Sequence, residues 1–115
     1  MMEQLIREKI SEAVNLKKHT CRDAEVSGVS DIHFINTVYG KDDSVTQVGN
    51  SSIYYEKEGY NLRYVAYFGC RISGTKGELI FEDNGKGDFV GIYDVSSESF
   101  EEDSIEVIIR QGIGQ

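Results

Sequence analysis

From Leu62 to Ile72 the chain alternates strictly: Leu62, Tyr64, Ala66, Phe68, Cys70 and Ile72 take one parity, Arg63, Val65, Tyr67, Gly69 and Arg71 the other. A period of two sends successive side chains to opposite faces, so the segment predicts a strand with one apolar and one amphipathic face. Runs rich in Val, Ile, Tyr and Phe also occur at 31–39, 44–48, 52–57, 77–82, 89–95 and 104–110. Turn signals separate them at residues 40–43, Gly49-Asn50, Glu58-Gly59, 74–77 and 84–88. Spacing this close favours hairpins and an antiparallel meander over βαβ units.

Ahead of the strands, residues 2–18 carry Leu5, Ile6, Ile10, Ala13 and Val14 as one stripe at helical spacing. Glu3 and Arg7 stand four apart on that helix, and Lys17, Lys18 and His19 lie where its C-terminus favours positive charge. Residues 20–30 read as a linker. The predicted fold is therefore α+β: one N-terminal helix packed on a curved antiparallel meander of five to seven strands, with a partial barrel as a variant. A chain of 115 residues holds one domain, 1–115, and buries about two thirds of its surface without staples.

That architecture has a shortfall. A 17-residue helix is about 26 Å long and 10 Å wide. Six strands at about 4.8 Å spread over some 24–29 Å. One helix covers part of one face and none of the other, yet 89–95 is apolar on both faces, with Phe89, Tyr93 and Val95 opposed by Val90 and Ile92. Curvature or a second subunit must close what remains.

Charge narrows the partners. Lys and Arg number 12 against 20 Asp and Glu, a net of −8, which argues against nucleic acid. No apolar run approaches a membrane span, and the N-terminus has no hydrophobic signal segment, so a cytoplasmic location is expected. Two cysteines, Cys21 and Cys70, outside any C-x-x-C pair, read as reduced thiols. Residues 59–77 hold Arg63, Arg71 and Lys76 and no acid, whereas 78–106 hold ten acids and only Lys86. That imbalance suggests solvated faces, a basic protein partner for 78–106, or complementarity across a subunit contact.

The chemical motifs suggested by the chain are incomplete. Gly69–Lys76 resembles a phosphate loop, but the order Thr75-Lys76 is inverted and a strand follows instead of a helix. In 83–88, Gly85 and Gly87 fall where a calcium loop needs side-chain oxygens, so a polar hairpin turn fits better. His19, Cys21 and His33 have no diagnostic zinc or Cys–His spacing. Glu101, Glu102 and Asp103 read as solvated acids before a strand, not as catalytic carboxylates. No cofactor and no metal are expected.

What remains is a non-enzymatic binding or interaction module, a small bacterial accessory protein acting as a homo-oligomer, with a dimer favoured. Its expected interface is Arg63, Val65, Tyr67, Arg71 and Ile108, the last pointing away from Ile105, Val107 and Ile109, with Arg63 and Arg71 meeting acids of 98–106 in the second subunit. The alternative is a small-molecule-binding cup, or a small enzyme, with a cavity lined by Asn36, Tyr64, Phe68 and Tyr93; Asn36 interrupts the apolar face of Ile32, Phe34 and Val38 and needs hydrogen-bond partners.

Overall fold

Two strands of 16 residues each, joined through the two-residue turn Gly77-Glu78, run the length of the molecule. The structure is a computed structural model and describes residues 2–16, 19–21, 24–35, 45–48 and 52–111. In chain order the elements are α1 (Met2–Leu16), β1 (His19–Cys21), β2 (Ala24–Ile35), β3 (Thr46–Gln47), β4 (Ile53–Glu58), β5 (Asn61–Lys76), β6 (Leu79–Asp94), β7 (Ser99–Phe100), a 3₁₀ turn (Glu102–Ser104) and β8 (Glu106–Gln111). All strands pair antiparallel in one sheet. Sixteen residues at about 3.3 Å each span some 50 Å, in keeping with a longest dimension of 47 Å.

β5 is the hub. One edge pairs with β6 from Leu62 to Lys76. The other edge is divided: β4 takes Asn61–Ala66 and β2 takes Tyr67–Thr75. The free edge of β6 is divided likewise, β8 along Gly85–Val90 and β7 at Tyr93-Asp94. The sheet curls enough for β1 and β8, at opposite margins, to come within 8 Å (Cα), but no ladder joins them among the described residues and the barrel stays open.

The alternation of β5 holds as read. Tyr64, Ala66, Phe68, Cys70 and Ile72 all lie in the buried cluster, with Ile6, Ile10 and Val14 of α1, Val26, Ile53, Phe89, Phe100 and Ile109. This inner face is the one the helix covers. The Arg7 guanidinium bonds Glu3 at 3.4 Å and donates to the Ile32 carbonyl at 3.1 Å, tying α1 to β2. Lys9 ties it to the 3₁₀ turn through Glu102, 2.6 Å away.

Three expectations need correction. Residues 84–88 are not a turn, because β6 runs unbroken from Leu79 to Asp94. Its glycines make room instead: a Cβ on Gly87 would lie 2.5 Å from Phe68 Cζ, and one on Gly85 would lie 2.8 Å from Ile72 Cγ2. The turn signal at 74–77 shrinks to Gly77, whose φ of 63° suits the first position of a Gly-X hairpin turn. Gly74 sits inside β5, where a Cβ would collide with the Glu25 carbonyl. Finally, the supposed linker 20–30 holds the end of β1 and the first half of β2, held in the sheet by pairing with β5.

Candidate functional site

The face of the sheet turned away from α1 is ordered by register. Ile35, Tyr67, Asp88 and Ile108 form one row across β2, β5, β6 and β8. The row on one side is Tyr54, Val65, Val90 and Glu106. On the other side lie His33, Gly69, Lys86 and Arg110. The His33 ring lies across Gly69, its Nε2 2.5 Å from where a Cβ would stand, so a larger residue there would push the ring aside.

The five interface residues expected from sequence share this face but not its exposure. Val65 is enclosed within the single chain, 4% exposed, and Tyr67 is half-buried. Ile108 is 53% exposed. The cations have partners within the chain: Arg63 meets Glu56 at 3.2 Å, and Arg71 meets Asn84 at 3.1 Å and Glu82 at 4.0 Å. Arg110, which the sequence did not single out, lies over the Tyr67 ring at 5.7 Å and bonds Asp88 at 2.9 Å. Hydrogen bonding to Asp88 first, then to Tyr67, strengthens its hold on its proton. The missed signal was readable: Glu106, Ile108 and Arg110 share one strand parity.

Of the cavity candidates, Asn36 lies outside the described residues. Phe68 is fully buried under the helix. Tyr64 is 6% exposed, in a string of mostly edge-to-face rings running from Tyr55 (5.3 Å) to Tyr93 (6.0 Å) and Phe100 (5.9 Å). Burial, and then the neighbouring phenols of Tyr55 and Tyr93, push the Tyr64 hydroxyl above its ordinary pKa. Tyr93 lines an open groove of about 360 Å³ shared with Met2, Gln4, Leu5 and Glu8. A second groove, about 410 Å³, runs between the polar side of α1 and Val29–Ile32. The packing leaves Tyr64 and Phe68 as core and Tyr93 as rim.

Several acids of 78–106 are engaged within the chain, Glu82 with Arg71, Asp88 with Arg110 and Glu102 with Lys9. The hairpin tip exposes Leu79 (72%) and Ile80 (85%). Among the described residues no three His, Cys, Asp or Glu side chains converge as a metal site, and no helix is long and apolar enough to cross a membrane. Cys70 is buried. Comparison with known protein families, curated proteins and solved structures finds no match.

Proposed function

We propose that the protein is a non-enzymatic interaction module that acts as a homo-oligomer, a dimer in its simplest form, through the outer face of its sheet. One observation carries the reading: among the described residues, the helix and the main buried cluster lie on one side of the sheet only. α1 and the buried cluster lie on the inner face, while Tyr67, Val90, Ile92 and Ile108 on the other are half-buried or exposed. A sheet with apolar side chains on both faces gains by covering both, and a second copy presents the same patch. Val65 shifts from the centre of that patch to its foundation, and Ile108 becomes its most accessible apolar group. A basic protein bound to 78–106 is the weaker reading, since Glu82, Asp88 and Glu102 already have cations.

Light scattering across a concentration series tests it. The wild-type chain is expected at twice 12.9 kDa in the tens-of-micromolar range typical of modest interfaces. Ile108→Glu should return it to monomer mass with an unchanged far-ultraviolet dichroism spectrum. A wild-type chain that stays monomeric at high micromolar concentration overturns the reading and moves attention to small ligands in the groove beside Tyr93.

A further inference from the structure

The outer residues of β8 are Glu106, Ile108 and Arg110, all exposed. Two residues along a strand cover about 7 Å, so an acid and a cation stand at equal distances on either side of Ile108. Lys86 lies beside Arg110 in register on β6 and adds a second cation to the same side. Arg110 bonds Asp88. Glu106 and Lys86, by contrast, form no ion pair among the described residues. A patch with an acid on one side of an apolar residue and cations on the other is complementary to itself after a half-turn.

Building on the outer face as the self-association surface, we infer that the two-fold axis of the dimer passes by Ile108, perpendicular to β8, and sets Glu106 of each copy against Lys86 and Arg110 of the other. Ile108 then packs on its own copy, and the two sheets stack face to face about 10 Å apart. Residues in the row of Ile108 also meet themselves. Asp88 does so with its Arg110 attached, so the four groups alternate in sign around the axis. Arg63 and Arg71 lie four residues to either side of Tyr67 and face each other, each with a carboxylate of its own chain beside it, Glu56 at 3.2 Å and Glu82 at 4.0 Å. The rest of the face therefore does not oppose the match, and the match fixes register.

Charge reversal separates this arrangement from self-association in general. Glu106→Lys alone and Lys86→Glu alone should each weaken dimerisation about tenfold or more, because like charges then meet across the axis. Glu106→Lys combined with Lys86→Glu should recover most of the loss. Ile108→Cys should crosslink to its own copy with a thiol-reactive spacer of about 10 Å, while wild type under the same conditions should not. A dimer indifferent to both reversals, or one in which Ile108→Cys fails to crosslink, overturns this axis and leaves self-association standing. A monomeric wild type overturns both. The substituted positions are exposed, and a thermal melt of each variant confirms that it is folded.

Discussion

At the scale of single residues, two kinds of fit decide the structure: glycines where neighbours leave no room, and phenols where water is excluded. Gly87 shows the first. A methyl there would stand 2.5 Å from Phe68 Cζ and 2.6 Å from the Ile108 carbonyl oxygen, and backbone cannot swing aside. Gly87→Ala should cost about 1–3 kcal/mol by overpacking. Gly28→Ala meets only Ser73 Oγ at an ordinary 3.4 Å and should stay within about 0.5 kcal/mol in the same urea titration. Tyr64 shows the second. Its folded pKa is raised above 10.0, first by burial and then by Tyr55 and Tyr93, so the folded chain holds the proton that the unfolded chain releases. The contribution is intact below the unfolded value and is lost as pH rises through the folded one. Lys9, raised from 10.5 chiefly by its bond to Glu102, falls away in the same direction. Tyr64→Phe should therefore flatten the alkaline loss of stability above about pH 10, read from urea midpoints, while changing little at neutral pH. An alkaline slope equal to that of wild type would contradict this account.

Among the elements, β6 carries the most instructive difference between sequence and structure. Periodicity identified α1 and both faces of β5 down to the individual residues, because a buried stripe and a strict alternation are local patterns. Glycine is ambiguous. It marks a turn where φ is positive, as at Gly77, and it marks close packing inside a strand, as at Gly85 and Gly87; only the residue across the sheet tells which. The polar stretch Glu25–Ser30 was legible as neither helix nor strand, since its place in β2 comes from pairing with Val29↔Ile72 and its neighbours rather than from its own propensity. The outer face was legible as a surface. The burial of Val65 and the partners of Arg63 and Arg71 depend on how strands are juxtaposed, which alternation alone does not encode. Hydrogen exchange provides the check on β6. Amides at Phe68–Cys70 and the paired Gly85–Gly87 should open together, as parts of one ladder. Rapid exchange at every amide of 84–88, the pattern of a surface loop, would restore the two-strand reading.

On the scale of the whole molecule, a single sheet is organised around one hairpin. Its two strands differ from their neighbours in how far apart in sequence their contacts lie. The β5–β6 ladder begins at Lys76↔Leu79 and lengthens one pair at a time away from Gly77. The β2–β5 ladder has no pair nearer in sequence than Ile35↔Tyr67, so its first contact must close a long loop in one step. Loop-closure entropy is met gradually in the first case and in one step in the second. The order of assembly expected from loop closure is that the hairpin zips first and offers a ready edge, β8 joins it across a short connection, and β2 docks last, bringing α1 down over the inner face. Until that docking, the side chains that later form the core look out from a bare ribbon. On this order both faces of the longest hairpin stay sticky until late, and the helix that precedes every strand in the sequence is the last piece to settle.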